Sequence, residues 1–419
     1  MFRIEGRARG SVTLAVVLLA LAAPPARAQS ATGGTPGEWF LQYGSARTQG
    51  LGGAFVAAAD DALGAIWNPA GLSLLDQNQL RFDTSQLYGQ TTVNSFSFAV
   101  PGSRWPSVGA TMLSLSSGDF ERTSALNDPL GSFREGETAY LFTLAKNFST
   151  RAAVGVNAKL VQQTIESFSG GGFGMDVGGI VRLTPDLRAG FTVLNLGGPK
   201  VTLRDVAEAW PSEMRGGLAL SLLGGKALAS LEVDHSEGLG TRLRGGTEYQ
   251  MLSGLTVRLG YDDTRPAGGF SYRFARGYDI DYGVTDHPLG LTQRVGLSYR
   301  FGGFYASSRA EPSVFSPTGE HAVTRISLNA RTKGTPENWS LEILDKSDHV
   351  VRRFGGPGRP SAHVEWDGKD ENGLPLADGN YRYRLEVRDG EGRIVSSSTR
   401  ALEITTAGPQ GEVPVVPVP

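Results

Sequence analysis

The chain has no cysteine among its 419 residues. This absence excludes disulfide bridges, cysteine-ligated metals and a lipid-modified N-terminal cysteine. Beyond the N-terminal segment there is no run of roughly 18 uncharged apolar residues, which argues against membrane-spanning helices. A formal net charge of −2 also lacks the basic excess of nucleic-acid-binding proteins, so we expect no nucleic acid as partner.

Residues that carry chemistry are scarce as well. None of the five histidines is paired with another at helical spacing, so we expect no metal site and no cofactor. The sequence contains no Walker A loop, no Rossmann glycine fingerprint and no G-x-S-x-G elbow. We therefore expect no catalytic residues and a protein that is not an enzyme.

Glycine, in contrast, is abundant, with 57 residues, and this favours a β-rich chain with tight turns. The N-terminus has the three parts of an export signal. Arg3, Arg7 and Arg9 form a basic region, 11–23 is a short apolar run, and 26–28 is an A-x-A cleavage site. We expect residues 1–28 to be removed as a signal peptide.

Alternation at period two dominates the middle of the chain. In 292–301 one face is apolar and ends in Tyr299 and Phe301, whereas the other face carries Arg294 and Arg300. Such a strand fits between water and a protein core, or between lipid and a polar barrel lumen. The same pattern predicts fourteen strands, at 79–86, 92–100, 107–116, 137–147, 151–164, 173–183, 187–195, 213–222, 226–235, 241–250, 254–262, 267–275, 277–285 and 291–301. An even number is typical of bacterial outer-membrane barrels.

The second face of these strands collects charges of both signs, including Arg258, Asp279, Asp281 and Arg294. On lipid, an arginine or lysine near the midplane would cost about 2–4 kcal/mol. We therefore predict that these four side chains line the lumen and are paired in part.

The connections alternate in length. Turns such as 149–150 and 275–276 are short, whereas 117–136 and 196–211 are long. Outer-membrane barrels combine short periplasmic turns with long outer loops. This predicts that both ends of the barrel face the periplasm.

A segment of small residues precedes the first strand and predicts a hatch that packs inside the barrel. Asn68-Pro69-Ala70-Gly71 is a strong turn and helix stop. An ordinary N-terminal helix over a core is the alternative. The candidate residues of this motif are Gly50, Gly52, Gly53, Phe55, Asp60, Asp61, Trp67, Asn68, Pro69 and Gly71.

Two stretches of this segment, 51–61 (LGGAFVAAADD) and 67–72 (WNPAGL), closely resemble the N-terminal signature of the PorV/PorQ family of FadL-like outer-membrane proteins. With the strand count, the resemblance covers about 35–304. It implies a 14-stranded outer-membrane barrel with an N-terminal hatch. Two roles occur in that group: passage of long-chain hydrophobic molecules through the barrel wall, and partnership with cargo proteins in type IX secretion. The motif is compatible with both roles and does not distinguish between them.

Short strands with hairpin signals follow a polar stretch at 305–312. Trp339, Trp366 and Tyr381 are the expected core anchors of an Ig-like sandwich. Residues 366–373 and 376–383 resemble the Ig-like domain of the flagellar hook-capping protein FlgD, which implies a spacer or an interaction module without chemistry.

The sequence thus predicts an all-β protein of the cell outer membrane. Its parts are a hatch (29–78), a 14-stranded antiparallel transmembrane β-barrel (79–304), a linker (305–312), a periplasmic Ig-like β-sandwich (313–406) and a disordered Pro-rich tail (407–419). The expected partners are outer-membrane lipid and either hydrophobic small molecules or secreted or periplasmic proteins. Two alternatives stay open: an outer-membrane anchor that presents the Ig-like module, and a soluble exported β protein.

Overall fold

The computed structural model describes residues 37–406 apart from 88–89, 104, 150, 253, 264, 276, 287–289, 319–321 and 398. The predicted signal peptide and tail lie outside the described residues. The chain forms two compact units that divide between Phe301 and Gly302.

The first unit is a closed barrel of fourteen antiparallel strands, as predicted. Pairing of the first strand with the last closes it, with Leu80 opposite Tyr299 and Phe82 opposite Leu297. The barrel strands are β1 (Asn78–Gln86), β2 (Thr91–Val100), β3 (Ser107–Thr123), β4 (Pro129–Asn147), β5 (Ala152–Ile165), β6 (Phe168–Arg182), β7 (Leu187–Leu196), β10 (Glu213–Leu222), β11 (Ala227–Ser236), β12 (Gly240–Leu252), β13 (Leu255–Asp262), β14 (Arg265–Ala275), β15 (Tyr278–Thr285) and β16 (Thr292–Phe301). A separate hairpin, β8 (Lys200–Thr202) and β9 (Ala207–Ala209), lies between β7 and β10.

Side chains alternate between the two faces of the barrel wall as the sequence pattern requires. On β4, Leu141 and Thr143 are buried, whereas Phe142 and Leu144 between and beside them are more than half exposed. Large apolar side chains on the outer face are exposed in the same way on β1, β2, β5, β6 and β13. A continuous exposed apolar band of this kind is the outer surface of a membrane barrel.

Two predicted loops are in fact structured. Residues 117–136 are mostly strand, because β3 extends to Thr123 and β4 begins at Pro129. Their outer parts carry exposed polar residues, so the hairpin continues beyond the region that the apolar pattern marks. Residues 196–211 contain the β8–β9 hairpin, in which Val201 is buried, and Trp210 just after the hairpin is buried as well. The prediction of open loops was wrong because it read polarity and glycine content as lack of structure.

The hatch enters the barrel as short elements rather than one helix. They are α1 (Glu38–Gln42), α2 (Ala46–Gly50) and two 3₁₀ helices, η1 (Ala62–Ile66) and η2 (Pro69–Leu74). Side chains cap three of them: Ser45 accepts from the amide of Thr48, Asp61 from Gly64 and Asn68 from Ala70. Among the described residues, no helix has the length and apolar character needed to cross a membrane.

The second unit is a β-sandwich. Its core includes Trp366 and Tyr381, whose rings lie 5.9 Å apart, and Trp339 packs at the margin. Its strands are β17 (Tyr305–Glu311), β18 (Val314–Phe315), β19 (Thr324–Arg331), β20 (Pro336–Leu344), β21 (Val350–Pro357), β22 (His363–Trp366), β23 (Gly379–Asp389), β24 (Ile394–Ser396) and β25 (Arg400–Ile404).

The boundary of this unit differs from the prediction. Residues 305–312 are not a linker, since β17 pairs with β19 and buries Ala306 and Ala310 in the core. The small alanines alternate with polar residues here, so the strand resembles a polar connection in the sequence. The Ig-like unit therefore begins almost directly after the barrel closes.

The assignment of Leu259 to the outer face of β13 can be tested by substitution. Its side chain is 72% exposed, whereas that of its neighbour Arg258 is buried. Leu259→Arg should lower the free energy of unfolding of the inserted barrel by about 2–4 kcal/mol, because it places a charge on the lipid face. Urea unfolding in liposomes measures the change. The matched control is Leu126→Arg at the tip of the β3–β4 hairpin, which should have little effect. Equal stability of the two variants would contradict the assignment of the faces.

Acid should destabilise the Ig-like unit through Asp389. Burial by itself raises the pKa of this carboxyl, but hydrogen bonds and charge from Arg393, with the amide of Gly334, outweigh burial and lower the pKa below 3.8. A carboxyl whose pKa is lower in the folded state stabilises the fold at pH values above its unfolded-state pKa. This contribution disappears as the pH falls through the folded-state pKa. In thermal melts of residues 302–406, Asp389→Asn should melt lower at neutral pH and lose less stability below about pH 4. The exposed Glu337→Gln is the control, and it should behave as wild type.

Candidate functional site: the hatch and the barrel lumen

One buried carboxylate on the wall holds the middle of the hatch. Glu232 on β11 accepts hydrogen bonds from the amides of Phe55 (2.7 Å) and Val56 (2.6 Å), and from the indole N–H of Trp67 (2.9 Å). Charged acceptors make the stronger class of hydrogen bond. The alternation pattern places Glu232 on the inward, charged face of its strand, but nothing in the sequence shows that it binds the hatch.

Asn68 fixes the second half of the hatch. Its side-chain amide donates to the carbonyls of Val56 (2.8 Å) and Gly179 (3.1 Å), and its oxygen accepts from the amide of Ala70. Pro69 starts the 3₁₀ helix that follows. The predicted turn motif thus joins two parts of the hatch to strand β6.

Glycines allow the hatch backbone to lie against the wall. Gly52 and Gly53 adopt positive φ angles of 61° and 80°, and a Cβ on Gly52 would lie 2.4 Å from the amide nitrogen of Tyr261. Gly71 packs within the hatch, where a Cβ would meet the carbonyl of Ala59 at 2.0 Å. Gly50 faces the side chain of Arg258.

The wall supplies matching glycines that the sequence analysis missed. A Cβ on any of them would lie between 2.1 and 2.4 Å from a hatch atom, so each marks a close backbone approach. They are Gly155, Gly178, Gly190, Gly246, Gly260 and Gly283. Their only sequence signal is that they replace inward-facing residues within otherwise regular strands.

An ion-pair network links the hatch to the lumen charges. Arg47 pairs with Asp60 of the hatch at 2.5 Å and with Glu248 of β12 at 3.0 Å. Asp61 lies 3.7 Å from the same arginine and caps η1. Phe55, the remaining aromatic residue of the motif, lies under the Arg47 guanidinium at 5.2 Å.

The four predicted lumen residues all face inward. Arg258 pairs with Glu248 (2.6 Å) and Asp281 (3.4 Å), and Asp279 pairs with Arg273 and Arg300. Arg294 differs, because it donates to the carbonyl of Gly44 and forms no ion pair within 4 Å in the described part of the chain.

At the end of the barrel where β1 begins and β16 ends, the lumen widens into a polar cavity of about 400 Å³. We call it the vestibule. Charges of both signs line it, and the hatch forms its floor. The charged lining residues are Arg47, Asp60, Asp61, Asp76, Arg81, Glu248, Arg258, Arg273, Asp279, Asp281 and Arg300.

Toward the opposite end of the barrel, the lumen holds a cluster of apolar side chains, with the buried Lys159–Asp176 ion pair beside it and the Lys159 ammonium 4.2 Å from the Phe40 ring. Phe40 and Leu41 of α1 pack there against inward residues of β2 to β7, and Trp210 covers them with its ring 5.8 Å from Phe40. We call this group the apolar cluster. Its buried members are Phe40, Leu41, Leu63, Ile66, Leu87, Val93, Leu113, Leu115, Ala139, Leu141, Val161, Leu194, Val201 and Trp210.

Beside the apolar cluster the wall is irregular. The β6–β7 register shifts next to Met175, and Asn195 opposite has a φ of 56°, which is a β-bulge. Beyond it, residues 168–174 of β6 have no partner in β7 among the described residues. The β8–β9 hairpin covers the inner face of this stretch, where a Cβ on Gly170 would meet the carbonyl of Thr202 at 2.4 Å.

Within the part of the chain that the structure describes, no group of three or more His, Asp or Glu side chains is placed to hold a metal ion.

The hatch should control ion flow through the lumen. Deleting 44–72 should raise single-channel conductance in planar bilayers, because this segment fills the barrel. Glu232→Gln should produce more frequent openings, since its amide offers a donor where the hatch also presents donors. Glu237→Gln, on an exposed turn beyond the same strand, is the control and should match wild type. Unchanged conductance in a folded deletion variant would show that the segment is not the plug.

Known proteins resemble parts of this chain. Residues 316–391 match the family model of the FlgD Ig-like domain, whereas comparison with curated proteins gave no match. The chain is similar to the solved structures of the Pseudomonas putida toluene transporter TodX (14% identity, 61% of this chain and 96% of that chain, TM-score 0.47), the CymD monoaromatic hydrocarbon channel (12%, 62% and 97%, 0.49) and a Pseudomonas aeruginosa FadL homologue (11%, 62% and 98%, 0.45). At these identities the similarity is one of fold alone.

Proposed function

We propose that this protein is a hatch-gated outer-membrane barrel that binds a hydrophobic molecule in the apolar cluster and releases it through the side of the wall. The observation that carries the proposal is the apolar cluster itself. Barrel lumens are polar as a rule. A lumen that buries fourteen apolar side chains in one half is therefore suited to an apolar guest.

The hatch helix α1 occupies the place that such a guest would take. Phe40 and Leu41 are fully buried, yet they belong to a five-residue helix and not to the wall. Aromatic side chains each bury on the order of 150–250 Å². A small apolar ligand that displaces them would replace one apolar contact surface with another.

The wall beside this position supports a lateral exit. The stretch 168–174 of β6, which pairs with β5 but not with β7, is covered from inside by the β8–β9 hairpin. Trp210, just after β9, covers the apolar cluster. Movement of this one hairpin would uncover both the guest and the gap in the wall. Bulges next to functional sites are a common device for such local openings.

The orientation follows from strand number. Fourteen strands return the chain to the side on which it entered, so β1 begins and β16 ends at the same rim. We place this rim, the vestibule and the Ig-like unit in the periplasm. The hatch motif resembles that of the PorV/PorQ family, so the secretion role of that family is the alternative function. That role would use the outer surface of the protein instead of the apolar cluster.

A photolabelling experiment tests the proposal. Full-length protein in nanodiscs is irradiated with a phenyl-diazirine probe, and adducts are mapped by mass spectrometry with and without toluene as competitor. We expect adducts on Leu141 or Trp210 that toluene suppresses. Leu113→Gln should abolish them, because it puts an amide into the apolar cluster, whereas Met112→Gln on the outer face of the same strand should not.

Adducts confined to lipid-facing residues, insensitive to toluene, would contradict hydrophobic binding in the lumen. Co-purification of secreted proteins that survives Leu113→Gln would favour the secretion role instead.

A further inference from the structure

A second, smaller cavity lies on the other side of the hatch from the vestibule. Its volume is about 40 Å³, which exceeds the roughly 10–15 Å³ that one water molecule requires. Its lining comes from the hatch and from the loop ends of β12 to β16: Gln42, Tyr43, Gly44, Thr48, Gln49, Gly52, Gly53, Trp67, Arg244, Asp262, Arg265, Thr285, Thr292 and Arg294.

Two arginines of this lining are almost completely buried and incompletely paired. Arg294 is 3% exposed, and its Nη2 has no hydrogen-bond partner. Arg244 is 1% exposed and pairs through Nε with Asp262 (2.9 Å) and Asp234 (3.6 Å). Its Nη1 has no hydrogen-bond partner and lies 3.8 Å from a carboxylate oxygen of Glu232. Buried guanidinium groups normally have all their donors satisfied, since an unpaired buried charge is costly.

The charge around the cavity is positive. Arg265 is a third arginine in the lining, and Asp262 is the one carboxylate among the described lining residues. Asp262 already accepts from Nε of Arg244 at 2.9 Å. The described residues bring no carboxylate within 4 Å of the Arg294 guanidinium, and the charge of Asp83 acts on it from farther away.

Aromatic rings of the hatch hold both guanidinium groups in place. Arg294 lies over Tyr43 at 5.3 Å, and Arg244 over Trp67 at 5.6 Å. The Nη1 of Arg294 also donates to the carbonyl of Gly44. Each arginine is thus anchored to the hatch by one set of contacts while a nitrogen remains available.

We propose that this cavity binds a small monovalent anion, such as chloride or formate, beside Arg294 and Arg244. The size of the cavity excludes large anions, and the two guanidinium nitrogens without a hydrogen-bond partner are donors, which bind an anion and not a cation. Gln49 presents an unpartnered amide oxygen to the same region, which a water molecule beside the anion would satisfy. Because hatch and wall both line the site, the anion stabilises the closed position of the hatch.

The experiment uses the full chain in detergent. Crystals grown with bromide are examined for an anomalous peak in the cavity, and thermal unfolding is followed against chloride at constant ionic strength with gluconate as the replacement ion. We expect a bromide peak within contact distance of Arg294 or Arg244, and a melting temperature that rises with chloride and saturates.

Arg294→Gln should remove the saturable chloride effect. Arg300→Gln should keep it, since Arg300 lies on the same strand and face but pairs with Asp279 in the vestibule. A cavity that holds only water, a bromide peak without a chloride effect in solution, or equal chloride responses in the two variants would each overturn the proposal. Should Arg294→Gln fail to fold, the bromide map and the chloride titration of the wild-type protein decide alone.

Discussion

The close approach of the hatch backbone to the inner wall is the constraint on which the rest of the barrel depends. Hatch atoms approach the wall closely at strand glycines: backbone atoms at Gly155 and Gly246, and the Asn68 side chain at Gly178. Buried backbone groups also need partners, and Glu232 and Asn68 provide several of them. Space and hydrogen bonding together fix one position for the hatch, with the charged vestibule at one end of the lumen and the apolar cluster toward the other.

The sequence was sufficient for the barrel because period-two alternation reports directly on which face a residue takes. Leu259 and Arg258 are neighbours with opposite environments, as a strand with one apolar and one polar face requires. The same signal placed Arg258, Asp279, Asp281 and Arg294 in the lumen. It could not name their partners, since a pairing such as Arg81 with Asp281 depends on the register between strands that are far apart in sequence.

Elements that do not follow alternation were predicted poorly. Trp210 follows a polar, glycine-containing segment, and only tertiary packing on Phe40 explains its burial. Residues 305–312 present alanines to the core of the Ig-like unit, and a small residue gives little hydrophobic signal. The hatch motif was found in the sequence, but its wall glycines were not, because a missing side chain is informative only when the opposing backbone is known.

The division of the lumen also bears on the direction in which an apolar guest could leave. Passage along the barrel axis would take it from the apolar cluster past Trp67 into the vestibule, where Arg47, Arg258 and Asp279 face the space. That step exposes apolar surface at a cost of about 25 cal/mol per Å². Passage sideways beside 168–174 of β6 takes the guest from the apolar cluster into the lipid. The apolar surface of the guest then stays out of water throughout. For the guest proposed above, the charged vestibule would thus oppose the axial route without any moving part.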